Sequence, residues 1–317
     1  MIQIDPYQRP QVLLLGNGLN RTFGGNSWRD LMKQISVRSD LPETLTCPYP
    51  LQAVLVTNDH VKKAMEDYRN EFFGTVNGEL QKQLQALLKV AFDDILTTNY
   101  SYEIEAAAVS RERPTETFLK KTCRNVEDGK RAEPKYLLHT CQCIPFDAHE
   151  NRIWHIHGEA RKPNSMILGH YYYASLLHEM VEYSQKRGNA YQRHQEENTM
   201  HTIRSWIDSF ILGDVYILGF GMNFSEFDMW WLLNRKKREK AQHGRVYFYE
   251  PGCGGFSEKE ELLKLLDVEV IHCGIPNPQG SNAEKDRQFR LFYQYAIEDI
   301  QKKTQKARNA VEEMSYV

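Results

Sequence analysis

Gln11-Val-Leu-Leu-Leu15 runs directly into Gly16-Asn-Gly-Leu-Asn20, and Asp94-Ile-Leu-Thr-Thr-Asn-Tyr100 repeats the pattern of an apolar run ending at a chemically capable side chain. A continuous apolar run, here Val12 to Leu15, is what a parallel strand covered on both faces requires. A glycine-rich turn directly after it lets the backbone approach a phosphate, the first unit of a dinucleotide-type fold. Further runs follow at Ile153-Trp-His-Ile-His157, Val215-Tyr-Ile-Leu218, Arg245 to Glu250 and Val268 to His272. Helical patterns separate them, so the chain reads as an α/β fold: Rossmann-like, with a mostly parallel sheet of about six strands covered by helices.

Working outward, Ser27 is placed to cap a helix over residues 28–35, and residues 39–50 read as a proline-containing loop. Helices are expected over 59–72 and 80–90, the second with leucines at 80, 84, 87 and 88. A helix is expected over 100–109, a polar surface loop over 111–133, and a short strand over 136–139. The spacing predicts helices over 170–186 and 200–212, with a solvated patch at 185–197 between them, and further helices over 225–237 and 258–266. An amphipathic helix over about 284–313 closes the chain, with Phe289, Phe292, Tyr295, Ile297 and Ile300 as its apolar stripe. The whole of 1–317 is expected to form a single domain, with helical insertions at about 38–90 and 160–212.

Composition narrows the function classes. Of 317 residues, 40 are basic and 42 acidic, giving a formal net charge of −2. Such a balance creates no field that favours direct nucleic-acid or membrane binding. No apolar run approaches the roughly 20 residues of a membrane span, and no signal peptide is visible at the N-terminus. The six cysteines carry no repeated C-x-x-C spacing, which suits a reducing cytosol and a soluble, cytoplasmic protein.

In an open α/β sheet, ligands bind beyond the carboxyl ends of the strands. That makes Asn99 and His157 candidates for chemistry, the glycine turns Gly16-x-Gly18 and Gly219-x-Gly221 candidates for phosphate approach, and Glu250 a candidate acceptor. Each has a plainer role available: Asn99 as a helix cap, Thr97 and Thr98 satisfying the backbone, and His155 and His157 satisfied by neighbours. On an extended strand His155 and His157 share a face, which is also a metal-ligand arrangement. Trp230-Trp231 and Tyr171-Tyr172-Tyr173 read as core and surface aromatics.

Taken in order, Gly16-Asn-Gly-Leu-Asn20 with Trp28, Leu96-Thr-Thr-Asn-Tyr100, His155-Ile-His-Gly158, and Leu218-Gly-Phe-Gly221 with Asp228 resemble the sirtuin-like family. Within it, the likeness is to the divergent bacterial branch found in anti-phage defence. The resemblance implies NAD as substrate and a site in which Gly16, Asn17, Gly18 and Asn20 line the pyrophosphate and nicotinamide ribose. It implies that Asn99, with Thr98 beside it, contacts that ribose and places a water or acceptor, and that His157 acts at the ribose hydroxyls. Gly219 and Gly221 approach the phosphates and adenosine, and Glu250 meets the adenosine ribose. The chain departs from the family at two places. The paired C-x-x-C zinc module of deacylating members is missing, so no zinc is expected, and Ser101 stands where an aspartate is usual, with Glu103 or Asp94 as possible substitutes. The resulting expectation is an NAD hydrolase that depletes NAD in abortive infection. It would act as a homo-oligomer or with an ATPase or Argonaute-like partner. The alternatives are a non-catalytic NAD or ADP-ribose sensor, a metal-dependent hydrolase using His155 and His157, and a protein deacylase.

Overall fold

A computed structural model describes residues 2–4, 9–25, 30–33, 47–54, 63, 76–127, 138–196, 199–239, 244–252, 257–274 and 280–315. All but residue 63 of the expected helix over 59–72, most of that over 28–35 with its cap Ser27, and Trp28 lie outside these residues.

The central sheet has eight strands. Six of them are parallel: β2 (Gln11–Leu15), β3 (Asp94–Thr97), β6 (His149–His155), β8 (Asp214–Leu218), β9 (Val246–Glu250) and β10 (Val268–His272). Across the sheet they run β6-β3-β2-β8-β9-β10. The chain therefore builds outward from β2 in one direction, returns, and builds outward from β8 in the other, which is the Rossmann order. β5 (Thr140–Phe146) and β4 (Cys123–Asn125) extend the β6 edge in antiparallel fashion. A separate ribbon pairs β1 (Ile2–Ile4) with β7 (His201–Ile203).

Alternation along the strands divides the core in two. Val12, Leu14, Leu96, Ile217 and Phe248 face one side; there α6 (His170–Glu196), α7 (Trp206–Leu212) and α8 (Phe227–Arg238) supply Tyr173, Phe210, Ile211 and Leu232. Leu13, Leu15, Ile95, Tyr216 and Tyr249 face the other, against α3 (Gly78–Leu88), α4 (Glu103–Ala108) and α10 (Asn282–Ser315). Burial on both faces is why β2, β3 and β8 read as unbroken apolar runs. Shorter helices α1 (Gly18–Thr22), α2 (Tyr49–Val54), α5 (Glu116–Thr122) and α9 (Glu258–Leu265) complete the described elements. No described helix is long and apolar enough to cross a membrane.

Several elements differ from expectation for identifiable reasons. Residues 116–125 hold α5 and β4 inside the stretch expected to be a loop; Thr115 caps α5, accepting from the Phe118 N–H at 3.2 Å. α6 does not stop near residue 186 but continues to Glu196, because Tyr191 and His194 within the polar patch are buried. The expected helix over 200–212 is β7 followed by α7, divided by the capping box of Ser205 and Asp208. α4 begins at Glu103 rather than residue 100, so Asn99 is not its cap. Of the short strand expected over 136–139, residues 136 and 137 lie outside the described residues and 138 and 139 form a turn ahead of β5, while β6 ends at His155, two residues before His157. In the C-terminal helix Tyr293 rather than Tyr295 faces inward; Tyr295 is 43% exposed.

The amino ends of the central strands are tied by a buried ion pair. Asp94 accepts from Arg152 Nε at 2.7 Å and Nη2 at 2.8 Å, and from Trp154 Nε1 at 2.7 Å. This occupies Asp94 at the end of β3 remote from the carboxyl-terminal cleft, so it is not a substitute for the aspartate that Ser101 displaces.

Candidate active site

A cleft of about 790 Å³ opens at the carboxyl ends of the strands and includes the switch point between β2 and β8. This volume lies within the usual range for small-molecule sites. Asn17, Gly18, Thr98, Asn99, His157, Gly219, Gly221 and Glu250 line it, joined by Arg21, Ser101, Glu103, Glu226 and Tyr293. Eight residues singled out from the sequence thus share one cavity. Gly16 and Asn20, also singled out from the sequence, are not among its lining residues. A Cβ on Gly16 would stand 2.5 Å from both Gly219 O and Phe220 Cα, so glycine here permits the two turns to touch. Asn20 is buried on α1, and neither of its side-chain polar atoms has a partner among the described residues.

Asn99 is aimed by its neighbour. The Thr97 hydroxyl donates to Leu15 O at 2.9 Å and accepts from the Asn99 N–H at 3.1 Å, joining the turn after β3 to the end of β2. The Asn99 amide itself is buried, and neither its oxygen nor its nitrogen has a partner among the described residues. A buried amide left unmatched costs free energy, and at the wall of a cavity a ligand can supply the missing bonds.

His157 is held by the turn that follows β6. Gly158 has φ +91°, and a Cβ there would fall 2.1 Å from Ser165 O; the His157 carbonyl accepts from Ile167 N at 2.9 Å. Its Nε2 lies 2.7 Å from Asp228 Oδ2. Burial opposes charge on the ring, but Asp228 and then Glu226 outweigh it and raise the His157 pKa above the ordinary value. Burial in turn pushes Glu226 up, against the opposing influence of His157.

His155 does something different. Its Nδ1 is 2.7 Å from the Asn99 carbonyl and its Nε2 2.9 Å from Glu105 Oε1, so both nitrogens face acceptors. Burial is overcome by Glu105, and the pKa is pushed up to about 9. His155 therefore braces the Asn99 turn. The H-x-H pair does not converge; among the described residues the grouping with metal-ligand spacing is His157, Glu226 and Asp228.

Near Ser101, the hydroxyl donates to Glu103 Oε2 at 2.5 Å. Burial raises Glu103 to about 7, with the Ser101 bond acting the other way. A carboxyl group thus lines the cleft two residues past the serine. At the far end, Glu250 Oε2 is 2.7 Å from Lys259 Nζ.

Residues 93–271 match the SIR2-like domain family. The chain belongs to the SIR2-like family. Members are typically NAD-dependent enzymes, which makes NAD-related activity the reading that the SIR2-like domain carries with it. No curated protein matches the chain.

The partners of His157 escaped the sequence reading in this SIR2-like chain. Asp228 was visible only as part of a motif, and Glu226 and Tyr173 carried no signal of their own. The usable clue was the pair Glu226-Phe-Asp228 directly after a glycine turn and at the start of a helix. Their convergence on His157 is a tertiary fact, since α8 and β6 are remote in sequence.

Proposed function

We propose that this chain is an NAD hydrolase, cleaving NAD to nicotinamide and ADP-ribose. The observation that carries the reading is the buried, unpartnered Asn99 amide in the same cleft as His157, at the switch point of a Rossmann sheet. The glycosidic bond of NAD already has a cationic leaving group, so a catalyst needs to orient water and stabilise a developing positive charge at the ribose. Asn99 orients the water through its free amide. His157 holds a proton inventory at the ribose hydroxyls. Gly18, Gly219 and Gly221 admit the pyrophosphate, and Glu250 accepts from the adenosine ribose. The cleft carboxyl of Glu103, beside Ser101, supports a catalytic rather than a purely sensing role. With no paired C-x-x-C module to build an acyl-lysine groove, water is the default acceptor.

On the same reading the chain is one NAD-binding unit carrying helical insertions, and its activity serves anti-phage defence by depleting NAD, under control of self-assembly or a defence partner. Incubation of purified protein with NAD, followed by chromatography, tests the reaction. Nicotinamide and ADP-ribose are expected. Calorimetric binding without turnover, at every protein concentration and in infected-cell extract, would replace it with the sensor reading.

A further inference from the structure

His157 does not meet the cleft as an isolated ring. Its Nε2 and Asp228 Oδ2 are 2.7 Å apart, and the two side chains are 3% and 0% exposed. A carboxylate oxygen can only accept, so Nε2 carries the proton. Nδ1 is then the ring nitrogen left for a substrate hydroxyl.

Ligand atoms of His157, Glu226 and Asp228 lie within 4.8 Å of one another, a spacing that a metal ion could also use. The shortest distance favours a shared proton. Two atoms bound to one zinc ion at about 2.0–2.1 Å stand roughly 3 Å or more apart, whereas 2.7 Å between Nε2 and Oδ2 is the separation of a shared proton.

Asp228 and Glu226 are placed for that task by one helix terminus. Asp228 sits in the first turn of α8, where the exposed N–H groups favour a carboxylate. Its Oδ1 is buried and has no partner among the described residues, where no competing donor draws its charge away from the imidazole. Glu226 occupies the N-cap position but makes no cap bond. Its Oε2 instead accepts from the Tyr173 hydroxyl at 2.9 Å. The Tyr173 ring stands edge-on to His157, centroids 5.4 Å apart at 78°. From the loop after β3, Tyr100 is the other titratable group among the described residues facing the two carboxylates, its hydroxyl donating to Ile167 O at 3.0 Å.

We propose that Asp228 is the positioning residue of this site: it locks His157 in the Nε2–H form with Nδ1 presented to the cleft, while Glu226, anchored by Tyr173, completes the unit. The kinetic consequence rests on the NAD hydrolase reading; the tautomer and titration do not. Raised by its two carboxylates, His157 becomes a neutral base at Nδ1 only above the ordinary histidine range.

The test uses the full chain with ¹⁵N-labelled histidine rings, the His157 signals being identified by their loss in His157→Gln. The neutral wild-type ring is expected as the Nε2–H tautomer, titrating above an ordinary histidine. Asp228→Asn should lower the titration and remove the tautomer preference, Asp228→Glu should retain both, and Glu226→Gln should lower the titration while keeping the tautomer. Kinetically, Asp228→Asn should reduce kcat for nicotinamide release by about 100-fold with KM little changed, and move the acid limb of the rate profile to lower pH. Asp228→Glu should restore part of the rate. An Nδ1–H tautomer in the wild type, a titration indifferent to Asp228→Asn, or His157 signals displaced by one equivalent of Zn²⁺ would overturn the proposal. If the wild type releases no nicotinamide but the ring signals behave as expected, the hydrolase reading fails and the Asp228 assignment stands.

Discussion

At Asn99 the protein gives up stability at the point where chemistry is assigned. Its amide is buried and finds no partner among the described residues, and such a group costs about 1–3 kcal/mol. Asn99→Ala is therefore expected to melt at the same temperature as the wild type or higher, by up to about 1 kcal/mol of added stability, while losing at least 10-fold in nicotinamide release. Parallel melting and activity measurements check this; a clear loss of stability would assign Asn99 a structural role. His155 and Glu103 yield a prediction of the opposite kind. Both have folded-state pKa values raised, from 6.5 to about 9 and from 4.5 to about 7. The folded state binds these protons more tightly, so the stabilisation is complete below the unfolded values and is lost as pH rises through about 7 and then about 9. Melting temperature should fall from pH 6 to pH 9, and His155→Gln should flatten the upper part of that decline. Asn99 and His157 were legible because each interrupts an apolar strand pattern. Thr97 satisfying the backbone and His155 satisfied by neighbours were also legible, and both hold; which groups they meet, and that Asp228 meets His157, was not, since a side chain's partner across the sheet leaves no mark at its own position.

Among the elements, the parallel strands were readable because burial on both faces demands unbroken apolar runs. α5, β4 and the end of α6 were not, because they bury only one or two side chains per turn and keep a polar composition. The two turns that build the cleft and the ion pair below it can be tested separately. Gly16→Ala would drive a Cβ to 2.5 Å from rigid backbone at Gly219 and Phe220, and a cost of about 1–3 kcal/mol is expected. Denaturant midpoints measure it; an unchanged midpoint would show that the turns can separate. Asp94→Asn should cost about 3–5 kcal/mol by leaving Arg152 uncompensated, without a specific loss of NAD affinity in the fraction that remains folded.

For the molecule as a whole, the sequence predicts the C-terminal helix as an amphipathic element with one apolar stripe. Phe292, Tyr293, Ala296, Ile297 and Ile300 are buried against the sheet. Tyr249 also donates to Asp299 at 2.8 Å, and Tyr293 reaches the cleft wall. Removing residues 282–315 would uncover this apolar cluster and one wall of the site, so the truncated chain should lose cooperative unfolding and NAD binding together; a soluble, cooperatively melting product would contradict that. The order of glycine turns, Asn99 and His157 along the sequence implied a shared site, and the β2–β8 switch point is the physical reason that residues so distant in sequence meet. The most direct test of the hydrolase account is NAD turnover without any acyl-peptide acceptor, compared between the wild type and Asn99→Ala. The account predicts equal amounts of nicotinamide and ADP-ribose from the wild type, and from Asn99→Ala binding of NAD with almost no release of either. Equal turnover by the two proteins would contradict it.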